Sequence, residues 1–236
     1  MEEIFDIHCH IIPGIDDGAG GWAEALNMLK MEYEDGVRNI ICTPHYRRGM
    51  FEADRDTVSE RFRKLQDESL MKWKDLRLYL GCEFHVNTDM LDFLESDGRY
   101  RMSGGRYVLL EFSEVDDYSK VRNSAGILQS SGYIPVIAHA ERYSCLRKRV
   151  DHIEELKDMG VWIQVNSGSI TGEDGWSVKY FCRTLLRRNL IDLVGSDAHN
   201  TRKRIPNMGT CAEYLCKKYG TSYARRILIE NPVRML

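Results

Sequence analysis

Short apolar runs recur along the chain, and each of them ends in polar residues. Their sequences are IFDIHCH, NIICTPH, LYLGCE, YVLLEF, PVIAH, WIQVN and LVGSDAH. Runs of this length, bounded by polar or turn-forming residues, are typical of buried strands. Six of the seven endings contain His, Asp or Glu. The same polar chemistry therefore follows one predicted strand after another.

Stretches with a helical repeat separate these runs. In residues 22–34 the apolar side chains Trp22, Leu26, Leu29 and Tyr33 fall on one helical face, and Gly36 follows the predicted end. Asp54 is a suitable N-cap for a longer helix that reaches about Lys74. Further helices are predicted over residues 88–98, 119–131, 144–159, 178–188 and 208–229, with irregular stretches at 10–21 and 168–175.

Strand and helix alternate throughout, which favours a parallel sheet covered by helices. Because seven strands are visible, we predict an α/β fold, a distorted seven-stranded (β/α)7 barrel related to the TIM barrel. No linker rich in Pro, Gly or Ser divides the chain, so a single domain over residues 1–236 is expected.

Composition narrows the function classes. The net charge of −3 gives no electrostatic basis for binding nucleic acid. The first residues, MEEIFDIHCH, resemble neither a signal peptide nor a membrane span, and the seven cysteines contain no CxxC pair. We therefore expect a cytoplasmic protein with reduced thiols and no membrane span.

The polar strand endings supply candidate metal ligands. His8 and His10 lie two apart on a strand, so their side chains point to the same side. In a β/α barrel the carboxyl ends of the strands meet at one face, where functional side chains gather. Crowded carboxylates and imidazoles without a cation would leave their desolvation uncompensated. The other candidates are Glu83, Glu111, His139, Asp197 and His199 at strand ends, and Asp17 and His45 on adjoining loops, with Asp16 a close competitor of Asp17.

The order HxH, DDG, TPH, GxE, E, HAER and SDxH resembles the polymerase and histidinol phosphatase (PHP) superfamily. Within that superfamily, DIHCHIIPGIDDGA, TPHYRRGMFE, LLEFS, PVIAHAERY and SDAHN are most similar to the manganese-dependent bacterial protein-tyrosine phosphatases of capsule and exopolysaccharide operons. The resemblance implies a trinuclear metal site in a distorted seven-stranded barrel. It also implies hydrolysis of phosphotyrosine on proteins by attack of a metal-bound hydroxide.

Carried over residue by residue, the resemblance implies three metal positions. His8, His10, Glu83 and Asp197 would hold the first ion. Glu83 would bridge to a second ion completed by Glu111 and His139, and Asp17, His45 and His199 would hold a third. Nitrogen and oxygen donors without a thiolate suit Mn²⁺, with iron and zinc as alternatives.

Arginines are the expected phosphate ligands. The resemblance points to Arg142 and Arg204, because a guanidinium can clamp a phosphate with two prongs. Tyr46, Arg47 and Arg48 follow the TPH motif and are candidates for a substrate-binding rim, although an aromatic residue there can equally be packing. The expected partner is a tyrosine-phosphorylated protein, such as a bacterial tyrosine kinase of polysaccharide export. The oligomeric state stays open.

Three other functions fit parts of the pattern. A phosphatase of a small phosphomonoester such as histidinol phosphate would share most ligands, but Glu111 distinguishes this chain, because those members tend to have histidine there. A nuclease-type module is disfavoured by the acidic balance, and a non-catalytic metal-stabilised domain by the retained ligands and arginines.

A formal cysteine-phosphatase signature, C-x5-R, occurs at residues 42–48 and again at 182–188. Such a loop must wrap a phosphate with backbone N–H groups. Pro44 lacks an N–H, no glycine precedes Arg48, and the second match lies in a predicted helix. Cysteine catalysis is therefore disfavoured.

Overall fold

In the computed structural model, which describes residues 3–236, parallel strands alternate with helices. All seven strand pairings are parallel, and the strands form a three-stranded sheet, β1-β2-β4, and a six-stranded sheet, β3-β5-β6-β7-β8-β9. The described residues contain nine strands: β1 (Ile4–Cys9), β2 (Val37–Cys42), β3 (His45–Tyr46), β4 (Arg77–Leu80), β5 (Glu83–His85), β6 (Tyr107–Glu111), β7 (Ile134–Ile137), β8 (Trp162–Asn166) and β9 (Leu193–Gly195).

The seven apolar runs all contain strands, but two of the runs are divided. Pro44 separates β2 from β3, and Gly81 precedes the step from β4 to β5. Proline removes a ladder donor, and a Cβ on Gly81 would lie 2.9 Å from Ile41 Cγ2, so neither position suits an uninterrupted central strand. The predicted α/β fold with a parallel sheet is confirmed, whereas the count of seven strands is not.

The two outer strands of this curled arrangement, β1 and β9, come together at their carboxyl ends. Cys9 and Ala198 form an isolated parallel bridge, the His10 N–H donates to Ala198 O at 2.9 Å, and the Asp197 N–H donates to His8 O at 2.7 Å. This closure brings the HxH motif of the first strand against the SDAH motif near the end of the chain. It decides where the candidate ligands meet.

Helices pack outside the strands, largely as predicted. Helix α2 begins after Asp54, whose carboxylate accepts a hydrogen bond from the Thr57 N–H at 2.9 Å. Two predictions need correction: the helix predicted over 144–159 is two helices, and the stretch 168–175 begins inside a short helix. The α-helices are α1 (Trp22–Glu34), α2 (Arg55–Lys72), α3 (Met90–Ser96), α4 (Tyr118–Ser130), α5 (Ser144–Arg147), α6 (Val150–Asp158), α7 (Ser167–Thr171), α8 (Trp176–Arg187), α9 (Met208–Tyr219), α10 (Thr221–Arg225) and α11 (Asn231–Val233), with a π-helical turn at Arg226–Glu230.

The core has two parts. A large cluster lies between strands and helices, and a smaller one takes side chains from several strands, including Phe5, Ile41, Leu109, Val136 and Leu193. Inward-pointing residues from successive strands are how a curled sheet fills its interior. All seven cysteines lie within the described residues and are free thiols. Between residues 3 and 236, no helix combines the length and the apolar character needed to cross a bilayer.

Helix α1 has the predicted bounds but buries a different face. Its buried residues are Ala25, Met28, Leu29 and Glu32, whereas Trp22, Leu26 and Tyr33 are only partly buried. Glu32 is fully buried next to Asp6, and burial together with the Asp6 carboxylate raises the pKa of Glu32 well above its usual value. The charge pattern of the sequence did not indicate a buried acid on this helix.

Replacing Glu32 with Gln should stabilise the protein increasingly as the pH rises. The pKa of Glu32 in the folded protein lies above the ordinary value of 4.5. The contribution of Glu32 to the free energy of unfolding is therefore greatest at low pH, where the carboxyl is protonated, and it declines as the pH rises. A glutamine does not titrate, so the free energy of unfolding should differ little at pH 5 and favour the variant by ~1–3 kcal/mol at pH 8. Urea unfolding at both pH values measures this, with the exposed Glu34→Gln as control. A constant difference would contradict it.

Candidate metal centre

Glu83 on β5 lies at the centre of the predicted ligands. Its Oε2 atom is 3.1 Å from each of His8 Nε2, His10 Nε2 and His45 Nδ1. Within the described chain, Glu83 Oε2 nevertheless has no partner with hydrogen-bond geometry. The three nitrogens and Glu83 Oε2 therefore converge on a shared space, although Glu83 Oε2 forms no hydrogen bond with any of them.

Asp197 completes the first cluster of donor atoms. Its Oδ1 lies 3.5 Å from both His8 Nε2 and His10 Nε2. One donor atom from each of His8, His10, Glu83 and Asp197 lies within 4.8 Å of the others, and all four residues are buried. This is the set that the resemblance assigns to the first ion.

A second cluster contains His10, Asp17, His45 and His199. Asp17 Oδ1 lies 3.6 Å from His45 Nε2 and 3.5 Å from His199 Nε2. Asp16 instead accepts hydrogen bonds from the His10 ring at Nδ1 and from the His45 N–H, both at 2.8 Å. The structure thus distinguishes two carboxylates that spacing left equivalent: Asp17 faces the donor cluster, and Asp16 orients His10.

The third cluster differs from the expected grouping. It contains His45, Glu83 and Glu111, with His45 Nδ1 3.7 Å from Glu111 Oε2. His139 was expected to join Glu111, but its Nε2 lies 2.6 Å from Glu83 Oε1, on the other oxygen of the central carboxylate. The other eight predicted ligands therefore cluster around Glu83 and its neighbours, while their grouping differs in detail from the expected one.

The electrostatics of these clusters fit divalent cations. Burial opposes the charge of Glu83, but His8, His45 and His139 hold its pKa well below the usual range. Burial and the Glu83 charge raise the pKa of Glu111 to about 8, and burial lowers that of His45 to about 4. Cations would compensate this conflict and would contact several buried atoms of the site that have no hydrogen-bond partner in residues 3–236, which are His45 Nδ1, Glu83 Oε2, Glu111 Oε2 and His199 Nε2.

Two of the candidate ligands, His139 and Asp197, have left-handed backbone conformations. His139 has φ 30° and Asp197 has φ 54°, a region that residues other than glycine seldom adopt. Each is held by a hydrogen bond from its N–H, to Gln164 Oε1 at 2.7 Å and to His8 O at 2.7 Å, respectively. Such strain concentrates at functional sites, where surrounding contacts maintain it.

Both predicted phosphate-binding arginines contact Asp197. Arg142 Nη2 is 2.8 Å from Asp197 Oδ2, and Arg204 Nη2 is 2.6 Å from Asp197 Oδ1. Their side chains are 33% and 38% exposed, whereas the Asp197 side chain is 1% exposed. The two guanidiniums therefore border the buried donors from the solvent side.

The residues after the TPH motif have different environments. Tyr46 is buried and packs against Phe84 and Tyr100, with ring centroids 5.0 Å and 4.9 Å away. Its predicted place on a substrate rim is corrected accordingly, because the packing alternative is the one observed. Arg48 is exposed and pairs with Asp89, and Arg47 is partly exposed.

Several polar residues of the site were not singled out from the sequence. The Tyr143 hydroxyl lies 3.2 Å from His139 Nδ1, and Gln164 bridges His8 and His139. A signal for Gln164 exists: in WIQVN it alternates with Ile163 and Val165, which places it on the opposite face of the strand.

Neither cysteine of the C-x5-R matches suits nucleophilic catalysis. Cys42 and Cys182 are both 0% exposed. Burial raises the pKa of each thiol well above its usual value, so both thiols stay protonated near neutral pH.

A curled parallel α/β sheet with candidate metal ligands at the carboxyl ends of its strands is typical of barrel-type proteins, whose functional side chains gather at that face. The family described as capsular polysaccharide synthesis, CpsB/CapC, matches residues 4–236, and the chain belongs to this family.

Named relatives extend over almost the whole chain. The tyrosine-protein phosphatase CpsB of Streptococcus pneumoniae is 33% identical over 238 residues, covering 99% of this chain and 98% of the relative. The tyrosine-protein phosphatase YwqE of Bacillus subtilis is also 33% identical, with 99% and 91% covered.

Solved structures agree with the fold. A chain from the crystal structures of YwqE from Bacillus subtilis and CpsB from Streptococcus pneumoniae, described as unique metal-dependent tyrosine phosphatases, superposes with a TM-score of 0.90 at 32% identity, covering 99% of this chain and 94% of that one. A phosphotriesterase homology protein from Escherichia coli shares only the fold, at a TM-score of 0.59 and 15% identity over 99% and 98% of the chains.

Gly18 provides a test of the loop that carries both aspartates. A Cβ there would lie 2.1 Å from His10 O and 2.5 Å from His10 Cβ, so Gly18→Ala should displace either the loop or His10. We expect metal affinity to fall roughly tenfold or more and stability to fall by about 2 kcal/mol or more. Calorimetric metal titration and thermal unfolding measure these effects.

Gly21→Ala is the matched control, because a Cβ there meets no described atom within 4 Å. Equal effects of the two substitutions would contradict a specific role for close packing at Gly18.

Proposed function

We propose that this chain is a metal-dependent phosphatase that hydrolyses phosphotyrosine on proteins and regulates capsular or exopolysaccharide biosynthesis. The observation that carries the proposal is the convergence of buried nitrogen and oxygen donors on Glu83 Oε2. Family membership and relatives named as tyrosine-protein phosphatases, at 33% identity over nearly the whole chain, support the substrate class.

The proposed metal is Mn²⁺, with up to three ions. His8, His10, Glu83 and Asp197 would hold one ion, Asp17, His45 and His199 another, and Glu83 with Glu111 and His139 a third. Imidazole and carboxylate donors without a thiolate support manganese, with iron and zinc as alternatives. Bound cations would supply a water-derived nucleophile at neutral pH and absorb charge on the phosphoryl oxygens.

Arg142 and Arg204 would orient the phosphoryl group. Both arginines contact Asp197, whose side chain is 1% exposed, so their guanidiniums border the buried donors while about a third of each arginine side chain reaches solvent. Charge stabilisation is stronger in such a site than in bulk solvent. Arg47 and Arg48 would contact the substrate protein from the rim, since both are at least partly exposed.

The proposed partner is a tyrosine-phosphorylated protein, with a bacterial tyrosine kinase of polysaccharide export as the expected example. The net charge of −3 gives no support for nucleic acid as a substrate. We also infer a cytoplasmic location, which the seven free thiols support. For the fold, we keep the interpretation that the seven apolar runs form the barrel, with two of the runs each divided into two strands.

Removal of metal should abolish phosphatase activity. After prolonged chelation, Mn²⁺ should restore hydrolysis of a phosphotyrosine peptide better than Mg²⁺, which prefers hydrated oxygen sites. Phosphoserine peptide and histidinol phosphate should be poorer substrates. Cys42→Ser is the control for the rival nucleophile and should keep most activity, because the thiol is buried and protonated. Undiminished activity of protein shown to be metal-free would overturn the proposal.

Replacing Arg142 or Arg204 with Ala should lower kcat/KM for a phosphotyrosine peptide by roughly a hundredfold. Lysine should rescue poorly, because a point charge cannot reproduce the two-pronged contact. The control is Arg188→Ala. This substitution removes an exposed ion pair between Arg188, which follows α8, and Glu154 on α6. Metal content must be measured alongside, because both arginines contact Asp197. Near-normal kinetics of both variants would place the phosphate clamp elsewhere.

A further inference from the structure

Gln164 on β8 is fully buried and contacts two candidate ligands at once. Its Oε1 atom accepts a hydrogen bond from the His139 N–H at 2.7 Å and lies 3.2 Å from His8 Nδ1. Its Nε2 atom donates to Asn166 Oδ1 at 2.9 Å. The side chain thus uses both ends of its amide within the site.

The backbone N–H of His139 determines which atom of the Gln164 amide is the oxygen and which is the nitrogen. An N–H can only donate, so the atom that faces it must be the carbonyl oxygen of Gln164. The same oxygen can only accept from His8, so His8 must carry its ring proton on Nδ1. The lone pair of His8 Nε2 then points toward Glu83 and Asp197, 3.1 Å and 3.5 Å away.

The other end of the Gln164 amide determines the orientation of Asn166 and, through Asn166, contacts Asp197. Because Gln164 Nε2 donates to Asn166 Oδ1, the second side-chain atom of Asn166 is its nitrogen, and it donates to Asp197 Oδ2 at 2.9 Å. Asp197 Oδ1 then lies 3.5 Å from Nε2 of both His8 and His10, with Arg204 Nη2 2.6 Å away on its solvent side. Glu141, also fully buried, accepts from the Asn166 N–H at 2.8 Å and holds that residue in place.

We propose that Gln164 is a positioning residue that sets metal affinity, an inference that rests on the proposed metal-dependent function. It fixes the tautomer of His8, holds the left-handed backbone at His139 and, through Asn166, orients the carboxylate of Asp197. Three candidate ligands from three separate segments are thereby oriented by one amide. Mutation of a partner that orients metal ligands in this way typically lowers metal affinity by about 10- to 100-fold.

The test replaces Gln164 with Met, which has similar length and no hydrogen-bonding amide. Mn²⁺ titration of the apoprotein, followed by calorimetry, should show affinity lower by roughly 10- to 100-fold than in the unchanged protein. At saturating Mn²⁺ the KM for a phosphotyrosine peptide should be nearly unchanged, because Gln164 does not contact the substrate.

Gln66→Met is the matched control. Gln66 is a partly buried glutamine on α2 whose Nε2 donates to Leu78 O at 3.0 Å, so the same substitution removes a hydrogen bond away from the donor clusters. Its Mn²⁺ affinity should stay within about twofold of the unchanged protein. Equal affinities of Gln164→Met and the unchanged protein would overturn the inference alone, whereas an unchanged protein that binds no Mn²⁺ would overturn the proposed function.

A second measurement does not depend on the variant folding. In ¹⁵N-histidine-labelled protein loaded with diamagnetic Zn²⁺, the long-range ¹H–¹⁵N spectrum should show the His8 ring proton on Nδ1 and protected from exchange. In Gln164→Met that protection should be lost. A His8 ring proton on Nε2 in the unchanged protein would refute the assigned tautomer and with it the proposed role of Gln164.

Discussion

Glu83 is a fully buried carboxylate among histidines, and the candidate metal site is organised around it. Its Oε2 atom lies 3.1 Å from nitrogens of His8, His10 and His45, and its Oε1 atom lies 2.6 Å from His139 Nε2. A fully buried carboxylate is costly unless charge and directed donors compensate it. Divalent cations bound between these atoms would provide that compensation, so under the proposed function metal binding would serve both folding stability and catalysis.

Close backbone contacts bring these donors together. The outer strands meet where Asp197 donates its N–H to His8 O, and a Cβ on Gly195 would lie 2.5 Å from His8 Cβ. Gly18 is similarly close to His10. Glycine is needed at these positions because a Cβ would overlap the neighbouring histidine. The site is thus formed at contacts where the chain has little freedom to rearrange.

Asp16 and Asp17 are adjacent and chemically identical, but they have different roles at the site. Asp16 orients His10 and the His45 backbone, whereas Asp17 faces His45 and His199. Asp197 shows the same division within one side chain, since Asn166 binds Oδ2 while Oδ1 faces the histidines. These tasks follow from the direction of each oxygen, which the surrounding hydrogen bonds determine. Metal affinity should therefore depend on uncharged residues such as Gln164 as well as on the charged ligands.

Hydrophobic periodicity and polar strand endings are local signals, so the alternation of strands and helices, the parallel α/β fold and the residues that surround the site could be predicted from the sequence. The position of Asp17 facing the cluster, the burial of Tyr46 and the division of two runs into separate strands emerge only from the folded chain. It also decided the contact between His8 and Gln164, which are 156 residues apart. Such features depend on strand register and on the closure of β1 against β9, and a local pattern does not encode distances between segments far apart in the chain.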